Sequence, residues 1–64
     1  MDPSLRLLLA LHLAAEDRQE DALRQGLRDA AMLLPDREGE RVARALYQTL
    51  DANGRGWLAR VAGR

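Results

Sequence analysis

The sequence predicts an all-α fold. It is a small bundle of three main helices and a short C-terminal fourth, paired as two helical hairpins in one domain, 1–64, and oligomeric. Three observations lead there. Among 64 residues, 13 are Leu and 11 are Ala, while Ile and Phe are absent and Val occurs twice; good helix formers dominate and strand formers are scarce. Apolar residues recur three and four apart along successive segments, the spacing of one helix face. The chain is also about half the commonest domain length, which leaves room for one core only.

Helix 1 is expected from Pro3 to about Ala15. Asp2 is a good cap for free N–H groups, and Pro3 suits the first helical position, where its missing donor costs nothing. Leu5, Leu8, Leu9 and Leu13 form one apolar stripe, and Leu7, Leu11, Ala14 and Ala15 form a second beside it. A helix this apolar around its circumference is normally buried on more than one side. Three other short helices in so small a chain can hardly cover it all, and the excess points to self-association or a partner surface.

The polar run Glu16–Asp21 separates helix 1 from helix 2, expected over about Arg18–Leu34. Asp17 and Glu20 have capping-box spacing. No Gly or Pro marks a turn there, so one continuous helix from Pro3 to Leu34 is the alternative to a hairpin. Leu23, Gly26, Leu27, Ala30, Ala31 and Leu34 give helix 2 an amphipathic stripe. Ala22, Gly26 and Ala30, spaced by four, make a small-residue groove that invites close approach by the leucines of helix 1.

Pro35 ends helix 2, Asp36 is the expected cap of helix 3, and helix 3 runs to about Leu50 with Val42, Ala45, Leu46, Thr49 and Leu50 on one face. Asp51-Ala52-Asn53-Gly54 then reads as a stop, with Gly54 at the position just past the helix end. A short helix over Gly56–Ala62 would place Trp57 as a lid on the first hairpin.

Ten Arg and ten acids cancel, and Lys is absent. A neutral chain has no net field to draw it onto nucleic acid or an anionic membrane. The lack of Lys, Ile and Phe beside abundant Ala, Arg, Leu and Gly fits a G+C-rich coding bias, hence a bacterial or phage origin. With no Cys, disulfides, thiolate metal sites and a Cys nucleophile are excluded. The run Leu5–Ala15 lacks the basic flank of an export signal and is too short to span a bilayer, so a cytoplasmic protein is expected.

Three motifs carry resemblances. Asp51-Ala52-Asn53-Gly54-Arg55-Gly56-Trp57-Leu58 resembles the start of an EF-hand calcium loop, but Arg55 stands where an oxygen ligand belongs and Ala62 where a bidentate Glu is required. Leu58-Ala59-Arg60-Val61-Ala62-Gly63 resembles the first helix and turn of a helix-turn-helix, and only Arg64 follows, with no recognition helix. Leu23, Leu27, Ala30, Ala31, Leu33 and Pro35 are similar to the second helix of a tetratricopeptide repeat, a resemblance covering about half the chain and implying stacked helical hairpins.

No cofactor or metal site is expected. His12 stands without a Cys or a second His, which makes a poor metal site. As a general base it has only Ser4 and Thr49 as hydroxyl candidates besides Tyr47, each with a capping or packing explanation; a hydrogen bond to Glu16 is its expected role. The sequence therefore reads as a non-enzymatic interaction module, a regulator, adaptor, inhibitor or chaperone. It would bind itself or another protein by packing Leu5, Leu8, Leu9 and Leu13, or Leu7 and Leu11, with His12 at the edge, into an apolar groove. The alternative is a dimeric DNA-binding regulator using Arg37, Arg41, Arg44, Arg55 and Arg60.

Overall fold

The computed structural model describes residues 2–35 and 37–63. Four helices follow one another: α1 (Pro3–Glu16), α2 (Glu20–Leu33), α3 (Glu38–Thr49) and α4 (Ala52–Ala62), with no strand among the described residues.

α1 begins as its first residues dictate. The Asp2 carboxylate accepts the Ser4 N–H at 3.0 Å, and Pro3 opens the helix. Its end is set by backbone geometry that the sequence does not advertise. Arg18 adopts φ 54°, a left-handed conformation. The Gln19 N–H bonds the Ala14 carbonyl at 2.8 Å, and the Arg18 N–H bonds the Ala15 carbonyl at 3.2 Å. This is a Schellman turn with Arg where Gly is usual. It breaks the chain into two helices, so the continuous-helix alternative is not the one adopted. Asp17 closes α1 rather than capping α2, whose N-cap Gln19 makes no side-chain capping bond. The capping-box expectation fails because the left-handed turn uses these residues first.

α2 stops where Leu34 turns extended, ψ 142°, ahead of Pro35; proline disfavours a helical residue before it. The cap expected at Asp36 lies outside the described residues. α3 carries Glu38 and Glu40 in its first turn, where negative charge offsets the positive end of the helix dipole. The stop predicted at Gly54 is instead a start. Asp51 caps α4 by accepting the Gly54 N–H at 2.8 Å, and Gly54 sits buried in the first turn. A carboxylate able to bond a free N–H outcompetes a glycine that no left-handed φ requires, so α4 begins at Ala52, four residues before Gly56.

The first three helices run up, down and up. α1 and α3 are parallel neighbours. At one end Ser4 Oγ donates to Glu38 Oε2 (3.1 Å), and at the other His12 Nδ1 meets Thr49 Oγ1 (3.1 Å). α2 packs against both. The predicted close approach of α1 to the small-residue face of α2 is present at Gly26, where an added Cβ would lie 2.6 Å from Leu11 Cδ2. Ala30 on the same face is buried, but Ala22 is exposed, so the groove is shorter than its sequence pattern.

The second hairpin does not form. α4 swings away from α3 to pack against α1 and α2, and Leu58 and Val61 enter the core with Trp57 packed partly over it. The Arg18 guanidinium lies over the Trp57 ring, 5.4 Å from its centroid, which pins α4 to the α1–α2 turn. The architecture is therefore a three-helix bundle closed at one end by a fourth helix. Its core is Leu, Ala and Val throughout, with no buried polar side chain among the described residues.

Candidate functional site: the outer face of the first helix

α1 has two neighbours along its length, α2 on one side and α3 on the other. Leu11, Ala14 and Ala15 point between them and are buried. Leu7 and Leu8 are half-buried against the core. The remaining face carries Leu5, Leu9 and Leu13, which are 47%, 48% and 59% exposed. The two stripes are thus divided by the fold. Leu11, at 1% exposure, is core and leaves the predicted partner-binding set, because the Gly26 notch receives it. Leu7 and Leu8 are shoulders of the exposed face.

Residues spaced by four lie one above the next along a helix, so Leu5, Leu9 and Leu13 form a ridge about 12 Å long. Arg6 and Asp17, exposed at opposite ends of this face, flank it. Beside it lies an apolar groove of about 350 Å³ between α1 and the end of α2, lined by Pro3, Arg6, Leu7, Ala10, Leu33 and Leu34. Leu33 is largely exposed there, as is its chain neighbour Met32. Leu33 was noted in sequence only as part of a repeat-like pattern. It is the last residue of α2, so no further helical turn follows to cover it.

His12 sits at the edge of the face and bridges α1 to α3. Its Nε2 lies 2.6 Å from Glu16 Oε1, the contact expected from sequence, and its Nδ1 lies 3.1 Å from Thr49 Oγ1. A hydroxyl, an imidazole and a carboxylate in a row invite comparison with a nucleophile–base pair. The Thr49 hydroxyl, however, donates to the Leu46 carbonyl at 2.7 Å. The same oxygen also faces His12 Nδ1 at 3.1 Å, where the direction of donation follows the ring tautomer. The cluster ties two helices together beside a polar recess of about 320 Å³ that Arg18 and Asp51 also line.

Asp51, the first position of the calcium-loop resemblance, spends its carboxylate on capping α4. Among the described residues no group of three or more His, Asp or Glu converges to hold a metal ion. No described helix is long and apolar enough to cross a membrane.

The five arginines expected to contact nucleic acid are divided between the start and body of α3 (Arg37, Arg41, Arg44) and α4 (Arg55, Arg60). Arg41 pairs with Glu38 at 2.9 Å. Arg55 donates to the Tyr47 carbonyl at 2.9 Å and stacks on that ring, 4.9 Å from its centroid. Arg37 and Arg41 flank one shallow groove at the start of α3. Arg44 lies further along α3 near exposed Glu40, and Arg60 is on α4.

Comparison with protein-family models, with curated proteins and with solved structures finds no match to this chain.

Proposed function

We propose that this chain is a small non-enzymatic interaction module: a cytoplasmic regulator, adaptor, inhibitor or chaperone of bacterial or phage origin. It works by laying the outer face of α1 against another apolar surface. One observation carries the reading. Leu5, Leu9 and Leu13 form a half-exposed ridge on the same helix that supplies the core residue Leu11. Burying a half-exposed Leu yields about 1 kcal/mol, so the ridge holds about 3 kcal/mol that the isolated fold leaves unused. The engagement of Arg41 with Glu38 and of Arg55 with Tyr47 weighs against a nucleic-acid role.

The test is affinity capture from cells that encode the chain, paired with light scattering of the purified protein. Wild type is compared with Leu9→Arg and with Gln48→Arg, a matched charge on the solvent face of α3. Whatever associates with wild type, another copy or another protein, is expected to be lost with Leu9→Arg and kept with Gln48→Arg. Circular dichroism confirms that both variants are folded. Unchanged association of a folded Leu9→Arg variant overturns the proposal. DNA binding that falls with salt and is abolished by replacing Arg37 and Arg44 replaces it with the nucleic-acid reading.

A further inference from the structure

We infer that Asn53 is a site of spontaneous deamidation whose rate is set by the opening of α4, and whose isoaspartate product holds that helix open. The inference is independent of the α1 ridge.

The chemistry needs two chain neighbours. Asn53 is the only asparagine of the chain, and a glycine follows it. In an extended chain the Gly54 nitrogen can attack the Asn53 side-chain carbonyl carbon, with no Cβ to hinder it. The new N–Cγ bond closes a succinimide ring and the Cγ–Nδ2 bond breaks. Ammonia leaves, carrying the proton that the Gly54 nitrogen gave up. Water then opens the ring. Attack at Cγ gives aspartate. Attack at the backbone carbonyl carbon gives isoaspartate, with the chain running through Cγ and the former backbone carbon left as a carboxylate.

The fold holds this reaction back. Asn53 is exposed in the first turn of α4, so access of water does not limit it. Its nucleophile does. The Gly54 N–H donates to Asp51 Oδ1 at 2.8 Å, and Gly54 is buried. In a helix the Cα–Cβ bond tilts toward the N-terminus, which carries the Asn53 amide away from the nitrogen that follows it. Packing also favours the reactive pair. A Cβ at Gly54 would lie 3.1 Å from Leu50 Cβ and 3.3 Å from Asp51 Oδ1, so the turn seats a glycine rather than a residue that would hinder attack.

The gate is weak. α4 has 11 residues, with glycine at 54 and 56. A helix of that length is marginal in water, and glycine lowers its propensity. Its core contacts, Trp57, Leu58 and Val61, all lie beyond the first turn, so the Asp51 cap is the main restraint on local opening there. The two products then diverge. Aspartate adds negative charge to a first turn that holds no acid, which the helix dipole favours. Isoaspartate inserts a methylene into the backbone. It breaks the register in which the Gly54 and Arg55 N–H groups reach Asp51, and the turn cannot reclose.

The test incubates the full chain in warm neutral buffer. Peptide mass mapping follows the amide-to-acid mass gain at Asn53, and reversed-phase separation resolves the two acid products. Gain should be slow in the folded wild type and fastest in urea. Asp51→Ala should react about fivefold faster than wild type, the loss of one cap. Gly26→Ala, which disturbs the α1–α2 contact and leaves the cap in place, should match wild type. The isolated isoaspartate form should show solvent-exposed Trp57 fluorescence, while Asn53→Asp keeps the native signal. Folded wild type reacting as fast as the chain in urea, or no gain in urea, overturns the inference. Slower reaction in Asp51→Ala also overturns it, since Asp51 would then assist the attack. Equal acceleration by Gly26→Ala places control in global unfolding and overturns the gate. A native Trp57 signal in the isoaspartate form overturns the release of α4.

Discussion

Replacing Gly26 by Ala tests the closest contact in the bundle. In an ordinary helix interior the change is favourable by about 1 kcal/mol, since alanine restricts the unfolded chain and suits the helix. Here the new methyl would lie 2.6 Å from Leu11 Cδ2 and 3.1 Å from Leu11 Cγ. Leu11 is 1% exposed and has nowhere open to swing. Overpacking of this kind costs about 1–3 kcal/mol. The net effect is destabilisation of about 1 kcal/mol, which in a domain this small lowers Tm by about 4–8 °C. The control is the same substitution in a Leu11→Val background. Valine has no δ-carbon, so the 2.6 Å conflict disappears at the cost of about one buried methylene, roughly 1 kcal/mol. There Gly26→Ala should become neutral or stabilising. Urea unfolding of the four proteins, followed by circular dichroism at 222 nm, gives the cycle. If Gly26→Ala stabilises the wild type by about 1 kcal/mol, or acts equally in both backgrounds, α1 and α2 do not meet as described.

Gly39→Ala should cost more, about 2–3 kcal/mol net, because its methyl would meet the Ala30 carbonyl oxygen at 2.7 Å, and backbone cannot rotate aside as a side chain can; a urea midpoint above that of Gly26→Ala would contradict this. Asp51→Ala removes the bond to the Gly54 N–H at 2.8 Å and should cost about 1 kcal/mol. Trp57 fluorescence should then shift at lower urea than the helical signal, as α4 frays first. Arg18→Ala and Arg18→Gly both lose the stacking on Trp57 and the side-chain bond to the Ala15 carbonyl. Glycine alone also escapes the roughly 1–2 kcal/mol of a left-handed side-chain-bearing residue, so the glycine variant should be the more stable by about 1 kcal/mol. Equal stabilities would refute the turn geometry.

What the sequence makes legible is local and periodic. Asp2-Pro3 starts α1 because a cap and a proline act within one turn. The face containing Gly26 and Ala30 was readable as a contact because residues four apart share a face. The exposed leucines of α1 were readable as a surplus, since a helix apolar all round cannot be fully covered by so few neighbours. The failures have non-local causes. The turn at Arg18 carries neither Gly nor Pro, and it is supported by a ring that lies 39 positions further along the chain, Trp57. The four-residue run Asp51–Gly54 holds both a start and a stop signal, and packing of Leu58 and Val61 against α1 and α2 settles which is used. Gly39 gave no periodic signal of its own; its role appears only once α3 lies against the Ala30 backbone. The division of the helix 1 leucines into core and surface likewise depends on where α2 and α3 lie, which no stripe on α1 alone specifies.

The position of α4 explains why the α1 ridge stays open. In a three-helix bundle each helix has two neighbours and one outward face. On α2 that face carries Asp21, Arg24, Gln25 and Arg28, and on α3 it carries Glu40, Arg41, Arg44 and Gln48. Water satisfies those side chains, so neither helix needs a further neighbour. α1 presents three leucines outward along its length, Leu5, Leu9 and Leu13, and a fourth helix laid alongside it would cover them and complete a four-helix arrangement. α4 does not take that place. The Asp51 cap turns the chain immediately after α3, and Arg18 on Trp57 holds α4 at the α1–α2 turn. Those two contacts commit the only remaining apolar helix to the end of the bundle. A tether that ended α3 without turning the chain would free α4 to reach the ridge. The ridge is therefore left open by specific interactions elsewhere in the chain.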